Sequence, residues 1–215
     1  MADSGGGCFT RCCSFFFTLG LAALFMWLSL RVSSPNCSLE QFYIPSLNQT
    51  LNSTRDTNLT FVVALKNTNK DKGVYYDPVN ITFYDSPNRS HSIGNYTIPK
   101  FRQGHNKKAM KNGTVETTGL DRQAVFRAVS ANGSAVFRVD LATSVRYRII
   151  FFKTKRHKIR VGGNVEVNGN GTKVNSKKGI KLKSGADKKS TAGVYCLGQV
   201  GVNFFILVLL NLWWW

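Results

Sequence analysis

The sequence predicts an all-β domain, a β-sandwich, between two hydrophobic ends, the first of them a transmembrane helix. Three observations carry this. Short runs of Val, Ile, Thr, Phe and Tyr recur between Asn, Gly, Asp and Ser clusters at about 8 to 12 residues, the rhythm of sandwich strands and turns. An uncharged stretch, residues 15–30 (FFFTLGLAALFMWLSL), precedes these runs and a hydrophobic tail, residues 202–215 (VNFFILVLLNLWWW), follows them. Roughly 150 residues lie between, enough for one domain with its own core.

With Cys12, Cys13 and Ser14 the first stretch reaches the length of about 20 residues that crosses a bilayer as helix, and its Phe and Leu content favours insertion. A cleaved signal peptide fits less well, because the basic n-region is thin and no A-x-A-like site precedes Pro35. The expected division is a cytosolic tail over 1–11, an anchor over 12–31 and a folded outer domain over 36–183. Arg11 and Arg31 flank the helix evenly, so charge does not orient it. Orientation comes from Asn-x-Ser/Thr acceptor sites at Asn36, Asn48, Asn52, Asn58, Asn80, Asn88, Asn95, Asn112, Asn132 and Asn170. All follow the anchor, where composition alone would give roughly three. Turns also favour Asn, Ser and Thr, but the excess points to a glycosylated, lumenal or extracellular domain.

The tail is short and, with Asn203 and Asn211, too polar for a comfortable second span. Ser190, Thr191 and Ala192, an uncharged spacer over 193–201 and the hydrophobic 202–215 follow the order of a glycosylphosphatidylinositol attachment signal. Ser184-Gly185-Ala186 is a second candidate, so the attachment region is expected over 184–201. Five cysteines exclude a disulfide-rich scaffold. Cleavage near Ser190 removes Cys196 and with it any Cys37–Cys196 bridge; without cleavage a bridge and a free Cys37 both fit. Cys8, Cys12 and Cys13 are palmitoylation candidates at the cytosolic margin, or small apolar helix residues left reduced.

Within the domain, residues 59–66 (LTFVVALK) and 79–84 (VNITFY) alternate apolar and polar side chains. Residues 134–141 (SAVFRVDL), 145–153 (VRYRIIFFK) and 159–167 (IRVGGNVEV) read as three consecutive strands. In the second of these Val145, Tyr147, Ile149 and Phe151 alternate with Arg146, Arg148 and Ile150, giving one buried and one cationic face. Thr154-Lys155-Arg156-His157 is its expected turn to the next strand, and Asn132-Gly133 and Asn168-Gly169 mark two further hairpin turns. No long amphipathic helix is expected.

The net charge of +18 is placed unevenly. From Lys100 onward there are 22 Lys and Arg against 5 Asp and Glu, whereas residues 31–99 hold 6 against 5. Such an excess attracts polyanions; an outer location disfavours nucleic acid and leaves acidic wall polysaccharide or anionic lipid. The candidate binding residues are Lys100, Arg102, Lys107, Lys108 and Lys111 in one stretch, and Lys153, Lys155, Arg156, Lys158 and Arg160 around the hairpin, although a solvated surface accounts for many such charges. Catalytic chemistry finds no foothold. His91, His105 and His157 stand among polar residues without ligand-like partners, Asp71, Asp77 and Asp85 sit in turns, and no nucleophile elbow, P-loop or dinucleotide fingerprint occurs. No cofactor or metal is expected, and no enzyme activity.

Four longer motifs are distinctive: NKDKGVYYD over 69–77, GNYTIPKFRQGH over 94–105, RAVSANGSAVFR over 127–138 and VEVNG over 165–169. Together they resemble the hairpin-induced-like family of plant disease-resistance proteins, a branch of the late-embryogenesis-abundant group-2 proteins, and the likeness covers nearly the whole chain. The resemblance implies a fibronectin-III-like sandwich, plasma-membrane residence with glycan and lipid attachment, and a role in resistance signalling. It also implies that the short N-terminal tail contacts a cytosolic immune regulator at the membrane. The family's Asn-Gly-Asp adhesion tripeptide is absent: residues 168–170 read Asn-Gly-Asn, which removes the carboxylate. The alternative to a defence component is a structural stress protectant of membrane or wall.

Overall fold

A computed structural model describes residues 6–48, 57–149, 152–174 and 178–184, and within the first helix the side chains of residues 11–25 and 27. Helix α1 (Gly6–Leu30) is followed by β1 (Asn36–Tyr43), a 3-10 turn (Pro45–Leu47), β2 (Asn58–Lys66), β3 (Gly73–Tyr76) and β4 (Val79–Tyr84). Then come β5 (Ser92–Ile98), β6 (Phe101–Gln103), β7 (Lys108–Glu116), helix α2 (Arg122–Asn132), β8 (Ala135–Ile149), β9 (Phe152–Lys153), β10 (His157–Val167) and β11 (Ile180–Lys181).

The strands form two antiparallel sheets. One has the order β11-β1-β2-β7; in the other, β5-β4-β8-β3-β6, strands β9 and β10 also pair with β8. Strands β3 and β4 occupy successive stretches of one edge of β8, Gly73 opposite Arg148 and Asn80 opposite Ala142, while β10 takes the other edge with Arg160 opposite Ala142. Alternation decides which face packs. Ala135, Phe137, Val139, Leu141, Val145 and Tyr147 of β8 are buried, as are Leu59, Phe61, Val63 and Leu65 of β2. Where the two inner faces meet, Phe42 and Phe61 stand 6.1 and 5.0 Å from the Phe83 ring, and Phe42 lies 5.8 Å from Phe137.

Several local expectations change. The strands expected over 134–141 and 145–153 are largely one continuous strand of 15 residues. Thr143 keeps the inward alternation unbroken between them, and its hydroxyl donates to the Asp77 carbonyl at 3.1 Å. Chain reversal falls between Ile149 and Phe152, not at Thr154–His157, because Arg148 already pairs with Lys153. Thr154 continues that ladder opposite Tyr147, and the register slips by one residue before His157 meets Val145. Ile150 and Phe151 lie outside the described residues.

Asn132-Gly133 ends a helix and does not turn a hairpin. Asp121 caps the start of α2 by accepting from the Ala124 N–H at 3.0 Å. Gly133 at φ 73° closes it with an N–H to the Val129 carbonyl, the left-handed C-terminal cap that glycine adopts without a Cβ penalty. Val125, Phe126 and Val129 turn toward the core, at helical spacing. Asn168, by contrast, does sit in a tight turn, closed by the Val167–Lys173 bridge.

The anchor expected over 12–31 corresponds to α1, 25 residues long. Among the described residues no helix is long and apolar enough to cross a membrane. Phe15, Phe16, Phe17, Leu19, Leu24, Phe25 and Trp27 of α1 are exposed. Three consecutive exposed phenylalanines point in three directions around a helix, so the apolar surface is not confined to one stripe against the sandwich. Cys8, Cys12 and Cys13 lie in α1. Asn52, Ser190, Cys196 and the 202–215 tail lie outside the described residues.

Cys37 is a free, buried thiol at the start of β1, and burial pushes its pKa up to about 11. Only the thiolate is nucleophilic. Iodoacetamide at pH 8 is therefore expected to label native Cys37 on the order of 100-fold more slowly than an ordinary thiol, with full labelling after denaturation, as read by mass spectrometry. The sign for stability follows from the same shift: the native state favours the protonated thiol, so this contribution holds below about pH 9 and declines as pH rises toward 11.

Candidate functional site: a cationic sheet face

From Arg138 onward the outward side chains of β8 are Arg138, Asp140, Ala142, Ser144, Arg146 and Arg148, and register places neighbours beside each. Arg102 of β6, Tyr75 of β3 and Arg146 of β8 form one row across the sheet. Arg148 sits between Gly73 and Lys153 in the next, and Lys158 and Arg160 of β10 stand opposite Ser144 and Ala142. Pairing of five separate strands thus gathers one positive surface from distant parts of the sequence.

Tyr75 is its aromatic centre. The Arg102 guanidinium lies 5.4 Å and the Lys153 ammonium 4.7 Å from the ring centroid, distances at which the ring quadrupole attracts a cation. Asp77 is its acidic pin, accepting from Arg156 Nε at 3.0 Å and standing 3.4 Å from Arg146 Nη2. The Arg146 Nε is buried and has no hydrogen-bond partner among the described residues. Two carboxylates stand on this side of β8: Asp77 beside Arg146 and Arg156, and Asp140 beside Arg138.

The ten basic residues predicted from sequence do not all converge. Arg102 joins Lys153, Arg156, Lys158 and Arg160. Lys100 is exposed just before β6 and Lys155 at the register slip before β10. Lys107 leads into β7, Lys108 binds Glu40 at 3.1 Å on the other sheet, and the Lys111 ammonium lies 4.7 Å from the Phe101 ring centroid. Glu40 in return has its pKa lowered, first by the Ser38 hydroxyl and then by Lys108. The expected single stretch from 100 to 111 is thus divided between β6 and β7. Tyr75 and Asp77 were not read as site residues; the aromatic pair Tyr75-Tyr76 alternates out and in along β3, and that was the available signal.

The histidines and aspartates stay apart. His91 pairs with Asp85 at 3.0 Å, Asp71 holds Lys72 at 2.9 Å, and Asp77 belongs to the arginine pin. Among the described residues no group of three or more His, Cys, Asp or Glu is arranged to hold a metal ion. Of the acceptor asparagines, Asn36, Asn58, Asn80, Asn88, Asn95, Asn112, Asn132 and Asn170 are exposed and Asn48 is half-buried. None lies in the rows of Tyr75, Arg146 and Arg148, whereas Asn80 shares the Ala142 row with Arg160.

Two antiparallel sheets packed face to face, one with a cationic outer side, define the class: a β-sandwich. No family model matches the chain. It is 52% identical over 187 residues to Protein NDR1 of Arabidopsis thaliana, covering 84% of each chain, and 29% identical over 164 residues to NDR1/HIN1-like protein 3 of the same plant, covering 69% of this chain and 66% of that one. The protein belongs to the NDR1/HIN1-like family. Among solved structures it aligns with Arabidopsis AT1g01470 (15% identity, TM-score 0.37, 64% of this chain and 84% of that one) and with a late embryogenesis abundant protein, At2g46140.1 (8% identity, TM-score 0.34, 77% and 91%).

Proposed function

We propose that this protein is a non-enzymatic, membrane-anchored component of plant disease resistance whose outer domain binds acidic cell-wall polysaccharide through the face around Tyr75. The defence role rests on the relationship to NDR1 over most of both chains. Residues 15–30 carry no charge, and a helix apolar on all sides belongs in a bilayer or a core; the exposed phenylalanines of α1 favour the bilayer. Eight exposed acceptor asparagines support a glycosylated outer domain at the plasma membrane. A C-terminal lipid attachment at Ser190 or Ser184, palmitoylation at Cys8, Cys12 or Cys13, and a cytosolic immune regulator on the N-terminal tail complete the proposal.

The observation that carries the binding function is the Arg102–Tyr75–Arg146 row, an aromatic ring flanked by cations in a row that holds no acceptor asparagine. Aromatic rings suit the apolar faces of sugars, and guanidinium groups suit their carboxylates. Binding of the glycosylated full-length protein to polygalacturonate is expected to fall about 10-fold or more in Arg102→Ala/Lys153→Ala/Lys158→Ala, with a shallower salt dependence because fewer counterions are released. Unchanged affinity and salt slope would assign the charge to solvation alone. If wild-type protein ignored the polymer while plants lacking it resisted pathogens normally and tolerated drying poorly, the stress-protectant reading would replace this one.

A further inference from the structure

The segment joining α1 to β1, residues 31–35, does not hang free. Val32 packs on the core, and Pro35 is buried. The Ser33 N–H donates to Asn69 Oδ1 at 2.8 Å while Asn69 Nδ2 donates back to the Ser33 carbonyl at 2.8 Å. Ser34 bonds the Tyr147 side chain. Five residues reach at most about 17 Å even fully extended, and four of these five are fastened to the sandwich. The strand end at which β1 begins is therefore held close to the C-terminal end of α1. The last described residues leave from the same side: the Leu182 N–H donates to the Cys37 carbonyl at 2.9 Å.

Charge is polarised along the same axis. At the end where β1 starts, Lys66 closes β2 directly opposite Lys108, the first residue of β7. Like charges facing each other across a ladder are unfavourable unless something neutralises them, and Glu40 reaches only Lys108. Lys70 and Lys107 stand exposed on the adjoining loops. The acid there, Asp71, is taken up by Lys72 with both oxygens at 2.9 Å. Phe152 projects beyond this end with 67% of its surface exposed. At the opposite end Asp85, Glu116, Asp121 and Glu166 mingle with Arg89, Arg122 and Arg127, and among the described residues no such excess arises.

We infer that the strand end formed by Lys66, Lys70, Lys107 and Phe152 is a docking face for anionic lipid headgroups of the membrane that holds α1. This rests on the proposal that α1 is an anchor. The headgroup layer extends about 5 to 8 Å beyond each side of the hydrocarbon, so a domain fastened directly to the helix exit brings these lysines within a Debye length of about 8 Å of lipid phosphate. Phe152 enters the interface as an apolar contact. The domain is then held in one pose, with the Tyr75 face on the side of the sheet rather than at the docked end. A glycan on Asn36, opposite Lys66 in the ladder, would block the contact, so Asn36 is expected to be bare in protein from plant membranes.

The test is hydrogen exchange of the full-length chain in nanodiscs of phosphatidylcholine alone or with phosphatidylinositol added. Amides of residues 66–73 and 103–108 are expected to exchange roughly 5-fold more slowly in the anionic discs. High salt and Lys66→Glu/Lys70→Glu/Lys107→Glu should abolish the difference, Arg127→Glu at the far end should not, and unchanged protection of β8 certifies folding. Equal exchange in both lipids, with the protein retained in neutral discs at high salt, overturns docking and leaves the anchor standing. Release from neutral discs at high salt overturns the anchor and docking together. Quantitative glycan occupancy at Asn36 also overturns docking.

Discussion

Asn67→Ala is expected to destabilise the sandwich by about 3 to 5 kcal/mol, although the residue touches no strand core. Asn67 is fully buried. Its Nδ2 donates to the Lys72 carbonyl at 2.7 Å and the Gly104 carbonyl at 3.0 Å, and its Oδ1 accepts from the Asn69 N–H and side chain at 3.0 and 2.9 Å. One amide thus satisfies groups from the β2–β3 and β6–β7 connections, and truncation strands several of them away from water at about 1 to 3 kcal/mol for each group left unsatisfied. Thermal melting followed by circular dichroism should show a fall of roughly 10 °C. Asn67→Asp should fail almost as badly, because the two carbonyls need a donor where it offers a carboxylate. Asn69→Ala should cost less, about 1 to 2 kcal/mol, since it loses chiefly the Ser33 clamp. A melt of Asn67→Ala within two or three degrees of wild type would show that those groups find other partners.

Asn67 also marks where the sequence stops being legible. Strands β2 and β4 could be read from alternation because their partners are hydrophobic and the period is local. The role of Asn67 depends on Gly104, 37 residues away, and nothing in a window around it distinguishes a buried amide from a turn residue. The same limit governed the site. The cationic side of β8 was readable from Arg146 and Arg148, but its union with Arg102 depends on β3 lying between β6 and β8, a pairing with no local signature. Helix α2 was missed for another reason. Its capping pair, Asp121 and Gly133, resembles turn chemistry, and only the spacing of Val125, Phe126 and Val129 argued for a helix.

Gly171→Ala is the second large effect expected, about 3 to 4 kcal/mol, and Gly133→Ala is its control. Both glycines have positive φ, 75° and 73°, a conformation that costs a residue with a Cβ about 1 to 2 kcal/mol. They differ in what the methyl would meet. At Gly133 nothing lies within 4 Å, whereas at Gly171 the Cβ would stand 2.1 Å from the Ile44 carbonyl oxygen and 3.5 Å from Leu47. Gly171 cannot simply retreat, because its carbonyl accepts the Ile44 N–H at 2.9 Å and its N–H donates to Asn168. The turn is further fixed by Asn168 Oδ1, which accepts from the Asn170 and Thr172 N–H groups and the Thr172 hydroxyl. The sequence marks Asn168-Gly169 as the turn, yet the left-handed residue is Gly171, because the loop closes between Val167 and Lys173 and reverses two residues later than an Asn-Gly hairpin would. Relieving the overlap must push Ile44 and Leu47, both buried, out of register with the core. Gly171→Ala should therefore melt well below Gly133→Ala, and equal melting temperatures would mean that left-handed strain alone sets the cost and that the Ile44 contact yields freely.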